Sequence, residues 1–266
     1  MINIKEYNES GFFFPLNALD QNKVDYYLSS VYDCQTSNNN NPKLDCLNKS
    51  YLLFKWANSL IREKSILNHV SKILGPNLFC YSLNIFIKPA KSESFVSPHQ
   101  DSSYWDLSPP SLLTAWIALT DVEENQGPVC YWSKTHKKGD IPFENINNKN
   151  NLLKTGQTSK IDFHNYKKNK VLLKSGQMSM HHLMVVHGSE KNTSNRDRVG
   201  VAIRYMSTNV KNTKMKKSAM LVSGADEFNN WFHETEPVND LGKQEIINHQ
   251  KAMRNQSFLR KITNFF

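Results

Sequence analysis

Pro98-His99-Gln100-Asp101-Ser102-Ser103-Tyr104-Trp105 and, far downstream, Met184-Val185-Val186-His187-Gly188-Ser189 are the two stretches on which the reading of this chain turns. Side chains at i and i+2 of an extended strand leave the same face, so one strand end can offer His99 and Asp101 together, and a distant strand His187. Two imidazoles and one carboxylate suit one face of an octahedral Fe(II) and leave its other positions open. Arg198 follows in the next apolar run; its planar, always-charged guanidinium can clamp a carboxylate at two points. By itself a His-x-Asp triplet is a weak sign in a chain with 9 histidines, and its surroundings have to strengthen it.

Outward from these motifs the chain alternates like a β protein. Residues 78–87 are rich in aromatic and branched side chains, and short strands are predicted at 112–120, 129–132, 171–173, 178–182, 183–186 and 199–206. Pro89, Pro109, Pro110, Gly127, Pro128, Gly176 and Gly188 punctuate them. So many short strands imply an antiparallel sandwich or barrel, mainly β with flanking helices. Ahead of them, Gly11-Phe12-Phe13-Phe14-Pro15 predicts a short strand. Leu19, Val24, Tyr27, Leu28 and Val31 then recur at helical spacing over 16–31. The Asn-rich run 35–43 predicts a surface loop, and Leu53, Trp56, Leu60, Ile61, Ile66, Leu67, Val70 and Ile73 predict a helix over 51–74 that stops at Gly75-Pro76. The polar insert 137–170 predicts a loop on one rim, of the kind that covers ligands. In the tail, Phe228, Trp231, Phe232 and a helical stretch reaching Phe266 predict packing on the sheet or a dimer contact. The expected organisation is a single domain over 1–266: a helical flank 1–77, a core 78–210 and an extension 211–266.

With 39% hydrophobic and 11% aromatic residues the chain can build a core, although a mean hydropathy of −0.58 gives it a very polar surface. No run approaches the roughly 18 apolar residues of a membrane span, and the first residues lack the basic-then-apolar order of a signal peptide. A soluble, cytoplasmic protein is expected. Cys34, Cys46, Cys80 and Cys130 show no paired spacing, which argues against a zinc knuckle or a disulfide framework. The net charge of +9 is spread along the chain, with local density only near 166–170 and 211–217, so nucleic acid is not the expected partner. A small molecule is. Monomer and homodimer both stay open.

Several further segments carry a resemblance: Glu6-Tyr7-Asn8-Glu9-Ser10-Gly11-Phe12, Thr114-Ala115-Trp116-Ile117-Ala118-Leu119-Thr120-Asp121 with Asn125-Gln126-Gly127-Pro128, Gly176-Gln177-Met178-Ser179, and His187-Gly188-Ser189-Glu190-Lys191-Asn192. With the two opening motifs and the run 198–205, they cover most of the chain. The sequence resembles the phytanoyl-CoA dioxygenase family, oxygenases dependent on iron(II) and 2-oxoglutarate. The resemblance implies a double-stranded β-helix, the cupin-like jelly roll. It implies His99, Asp101 and His187 as iron ligands, Arg198 for the far carboxylate of 2-oxoglutarate, and Ser189 as a hydroxyl for the same carboxylate. It further implies dioxygen as oxidant, release of succinate and carbon dioxide, and hydroxylation of a C–H bond. Related halogenases carry a small residue at the position of Asp101, so the carboxylate here favours hydroxylation. Trp132-Ser133-Lys134-Thr135-His136 departs from the family's Pro-Gly-Ser-His turn without touching a ligand.

Candidate substrate residues are Tyr104 and Trp105 just after the first ligands, His181 near the third, Arg204 at the strand parity of Arg198, and Asn84 and Lys88 on the strand before the ligand loop. They suit a small polar metabolite, anionic ones included, such as an amino acid, phosphonate or osmolyte. His69 and His136 read most simply as a helix residue and a turn residue, and Trp116 and Trp132 as core. Rival readings are an acyl-CoA hydroxylase of the same family, an inert jelly-roll binding protein, and a zinc hydrolase on the same ligands. The last would leave Arg198 and Ser189 without a purpose.

Overall fold

The computed structural model describes residues 2–153 and 156–262, apart from the side chains of Tyr104 and of residues 255–262. The end of the tail, including Phe266, lies outside the described residues. The chain forms two compact units, one of Met1–Val24, Phe86–Asp106 and Leu112–Ala202, the other of Asp25–Ile85, Leu107–Ser111 and Ile203–Phe266. The architecture is mainly β, a jelly roll with flanking helices.

In the first unit the strand Phe12–Asn17 pairs antiparallel with Gln177–His182, which pairs antiparallel with Leu112–Ala118. A second sheet runs Val96–His99, His187–Ser189, Val129–Trp132 and Lys168–Lys170, again antiparallel. Alternation along Val129–Trp132 decides what each face does. Tyr131 turns inward and joins Phe12, Trp116, Ala118, Val122 and Val185 in a core cluster. Its neighbours Cys130 and Trp132 turn the other way and form a smaller cluster with Ile141 and Val186.

That outer cluster explains why the segment 137–170 is not a bare rim loop. Ile161, Phe163 and Tyr166 pack over it, because an uncovered Trp132 face would leave apolar surface in water. The segment holds the hairpin strands Phe143–Asn145 and Gln157–Ser159, a 3-10 turn at Phe163–Asn165 and the strand Lys168–Lys170. Two predicted strands also shift. Residues 183–186 form the turn between the two sheets, and in 171–173 only Leu173 bridges, to Val122.

Two helical expectations are corrected. The helix Gln21–Asn40 runs through most of the Asn-rich segment read as loop. Thr36 and Ser37 hydroxyls bond back to the Tyr32 and Asp33 carbonyls, a pattern a solvated helix face tolerates. The single helix expected over 51–74 is instead a 3-10 turn Ser50–Leu52 and two helices, Lys55–Leu60 and Lys64–Leu74. The break falls at Glu63, whose backbone leaves the helical region (φ −55°, ψ 119°) and whose carboxylate accepts from Tyr27 Oη at 2.7 Å. Within the second unit, the beginning of the strand Leu78–Lys88 pairs with Ser218–Ser223, which carries Phe232–His233 in parallel. Beside them a buried ion pair joins Lys49 to Glu234 at 2.5 Å, and the same carboxylate accepts from Tyr51 and Ser218. Trp231 of the tail is buried and donates to the Val210 carbonyl at 2.6 Å, and the helix Lys243–Ile262 follows.

Candidate active site

Sheet register assembles the site. In one sheet His187 stands opposite His99 on one side and Tyr131 on the other. In the facing sheet His181 stands opposite Thr114 and Phe12. These two rows meet in the interior of the first unit, with His187 centred 4.2 Å from the His99 ring and 4.4 Å from the His181 ring.

His99 ends its strand, and Asp101 opens a 3-10 turn, Asp101–Tyr104. The two ligand candidates therefore do not share a strand as the sequence spacing suggests. Gln100 between them keeps an extended backbone, φ −102° and ψ 139°, so both side chains still leave on one side. Donor atoms of His99, Asp101 and His187 all lie within 4.8 Å of one another and are buried. Asp101 Oδ1 is 3.9 Å from His99 Nε2 and 4.0 Å from His187 Nε2.

The donor chemistry fits a divalent metal. His99 Nδ1 lies 2.9 Å from the Ser97 carbonyl and His187 Nδ1 lies 3.0 Å from the Val185 carbonyl. A carbonyl only accepts, so each Nδ1 carries the hydrogen and each Nε2 presents its lone pair, the state a metal requires. Gln100 braces the loop: its amide nitrogen donates to the Gly139 and Met184 carbonyls at 3.0 and 2.7 Å, and its oxygen accepts from Ile141 N at 2.8 Å. It thereby ties the His99–Asp101 bend to the turn that leads into His187. Gly188 permits the close pairing of the two histidine strands, since a Cβ there would stand 2.7 Å from the Val96 carbonyl oxygen.

Arg198 is 2% exposed. One guanidinium nitrogen donates to the Gly127 carbonyl at 2.5 Å, the group lies 5.4 Å from the Trp116 ring centre, and its Nε has no hydrogen-bond partner among the described residues. Gly200 makes room for that Trp116 ring, which a Cβ would meet at 2.2 Å. No carboxylate pairs with Arg198 among the described residues, and burial pulls its pKa down from 12.5 to about 10. It still carries its charge at neutral pH. A buried, partly unsatisfied guanidinium of this kind fits an incoming carboxylate.

Lys88 is fully buried, donates to Ser189 Oγ at 2.9 Å and also to the Glu190 carbonyl. Burial first, then the charge of Arg198, lowers its pKa to about 7. This lysine, read from the sequence as a substrate contact, thus sits with Ser189 and feels Arg198. Because a base whose pKa falls on folding binds fewer protons in the native state, Lys88 makes the metal-free chain more stable as pH rises from about 7 towards 10. Replacing Lys88 with Met should flatten that gain, as urea unfolding at pH 7 and pH 9 would reveal; an unchanged pH slope would refute the assignment.

Of the other substrate candidates, His181 is buried, with Nδ1 3.0 Å from Tyr131 Oη, itself 2.7 Å from Ser179 Oγ. Its nearness to His187 comes from two sheets facing each other. Trp105 is half-buried directly after the ligand turn, and the side chain of Tyr104 lies outside the described residues. Asn84 and Arg204 belong to the second unit, where Arg204 donates to the Asn84 side chain. Sequence reading missed Thr114, Gln100 and Tyr131 as site residues and took Trp116 for core alone. The signal for Thr114 and Trp116 was their common parity on one strand.

Residues 8–200 match the phytanoyl-CoA dioxygenase (PhyH) family. The chain belongs to that family. As a phytanoyl-CoA dioxygenase family member it is an enzyme of the non-haem iron(II), 2-oxoglutarate-dependent class, which uses dioxygen. Among solved structures it is similar to the apo form of ThoJ, described as a non-heme monooxygenase, at 28% identity and a TM-score of 0.85, covering 98% of each chain. The ThoJ–Ni complex matches at 27% identity and TM-score 0.80, over 97% of this chain and 98% of that one. A non-heme alpha-ketoglutarate-dependent carbocyclase, SnoK from nogalamycin biosynthesis, shares the fold at 20% identity and TM-score 0.63, over 79% and 84% of the two chains. No curated protein matches the chain. No described helix is long and apolar enough to cross a membrane.

Proposed function

We propose that the chain hydroxylates a C–H bond of a small polar metabolite, anionic ones included, of the amino-acid, phosphonate or osmolyte type. In this reading His99, Asp101 and His187 hold Fe(II), and Arg198 and Ser189, with Lys88, hold the far carboxylate of 2-oxoglutarate. The observation that carries it is the buried Arg198 guanidinium, without an acidic partner among the described residues, in the same unit as three converging ligand atoms. When bound, the iron supplies dioxygen activation coupled to oxidative decarboxylation of 2-oxoglutarate to succinate and carbon dioxide. The protein's part is to orient the reactants and to exclude water. His99 and His187 present neutral imidazoles. Asp101 supplies the negative charge.

Support for a polar substrate comes from the walls. Beside the ligands stand the buried polar residues His181 and Thr114, and the Tyr131 hydroxyl joins His181 to Ser179, where an acyl chain would want aliphatic surface. The contacts expected of substrate are His181 and the aromatic pair Tyr104 and Trp105. A panel of amino acids, phosphonates, osmolytes and acyl-CoA thioesters, read as succinate release above the substrate-free background, tests the proposal. A polar compound should raise release severalfold. Stimulation by acyl-CoA alone would replace this reading with the acyl-CoA hydroxylase. No visible charge-transfer band with anaerobic Fe(II) and 2-oxoglutarate would leave an inert binding protein.

A further inference from the structure

Thr114 lies on the strand Leu112–Ala118, whose every residue is buried, and its hydroxyl donates to Asp101 Oδ2 at 3.0 Å. The other carboxylate oxygen, Oδ1, is the one directed at the histidines, 3.9 and 4.0 Å from their Nε2 atoms. A carboxylate can ligate a metal through one oxygen or through both. The second mode requires Oδ2 to rotate toward the metal, away from any donor that holds it. His181 Nε2, at 3.8 Å from Oδ2, is beyond hydrogen-bond reach, whereas the Thr114 hydroxyl is within it. A β-branched side chain has few rotamers on a strand, so this donor is aimed before any metal arrives.

We propose that Thr114 is a positioning residue that confines Asp101 to ligation through Oδ1. One-oxygen ligation keeps a further coordination position for cosubstrate and dioxygen; two-oxygen ligation would fill it. The inference rests on the reading of His99, Asp101 and His187 as metal ligands and concerns a residue outside that set. Thr114 and its strand partner His181 thereby divide the work of the inner wall: the threonine sets the carboxylate, and the histidine is held by Tyr131.

Cobalt(II) titration of the metal-free protein under nitrogen, with and without 2-oxoglutarate, tests this by the visible ligand-field spectrum and by affinity. Thr114→Val keeps the shape and removes the hydroxyl. It should alter the band pattern and weaken cobalt binding about 10- to 100-fold, the range typical of lost outer-shell partners. Thr114→Ser should restore the original spectrum. A wild-type spectrum and affinity in Thr114→Val would overturn the proposal, as would a Thr114→Ser protein that behaves like the valine variant, because the methyl group would then be what matters. Thr114→Ala serves as a second hydroxyl-free variant, and loss of the metal-free fold in both, seen by circular dichroism, would make the threonine structural and overturn it too. If the unaltered protein binds no cobalt, or binds it equally after His99→Ala, the ligand reading itself fails, an outcome distinct from failure of the Thr114 assignment.

Discussion

Asp101→Ala should reduce substrate-dependent succinate formation to background while leaving the metal-free protein folded. Asp101 contributes the one anionic donor of the three, and its Oδ1 faces both histidine Nε2 atoms at about equal distance, 3.9 and 4.0 Å. Without it two neutral imidazoles remain, and neither compensates the charge of a divalent ion brought into a buried site. The loss should exceed the roughly 10- to 100-fold effect of an outer-shell change, and should appear both in turnover and in metal affinity. Stability is a separate matter. The alanine leaves the Thr114 hydroxyl without its acceptor, at about 1–3 kcal/mol, but also removes a buried carboxylate. Thermal melting of the metal-free variant near that of the unaltered protein, with turnover abolished, is the expected pair of results; full retained turnover would sink the iron assignment.

Arg198→Met should produce effects of opposite sign on stability and on cosubstrate binding. A basic group whose pKa falls on folding destabilises the native state wherever it is protonated in both states, here below about 10. At neutral pH the metal-free fold therefore carries a buried cation with only the Gly127 carbonyl and the Trp116 ring to offset its lost hydration. Methionine fills much of the same space without that charge, so the metal-free variant should melt no lower than the parent. Binding of 2-oxoglutarate should collapse. Its far carboxylate would enter a buried site stripped of the guanidinium, a change of roughly 3–5 kcal/mol, which corresponds to about 150- to 4,000-fold in affinity. Calorimetric titration with 2-oxoglutarate in the presence of a redox-inert divalent metal measures this. Arg198→Lys should not rescue it fully, because an ammonium cannot reproduce the two-point fork. Unchanged 2-oxoglutarate affinity in Arg198→Met would refute its role.

Local sequence carried a large part of this outcome. Alternating apolar residues over 78–87 and 199–206 became the strands Leu78–Lys88 and Arg198–Ser207, and the helical spacing before Gly75 became the helix Lys64–Leu74. The errors have physical causes. Asparagine and serine over 35–40 speak for a turn by propensity, yet a helix already fixed by Val31 and Cys34 on its buried side continues through them. The apolar run 183–186 looks like strand because Val185 and Val186 are buried, but they are buried in a turn between sheets, contributing to one core cluster each. Periodicity reports burial and cannot say which backbone path delivers it.

For the site the same division applies. The residue types His99, Asp101, His187 and Arg198, and the chemistry such types support, were legible from the sequence, because ligand capability and permanent charge belong to the side chain itself. Which residues stand beside them was not. Thr114 reaches Asp101, Trp116 lies against Arg198, and Lys88 bonds Ser189 across long stretches of chain. Those meetings depend on strand register and on two sheets facing each other, and a shift of one residue would turn every such side chain to the opposite face. The sequence alone therefore determined the kind of metal chemistry the chain can host, and only tertiary structure decided which neutral neighbours hold the carboxylate, the cation and the imidazoles in place.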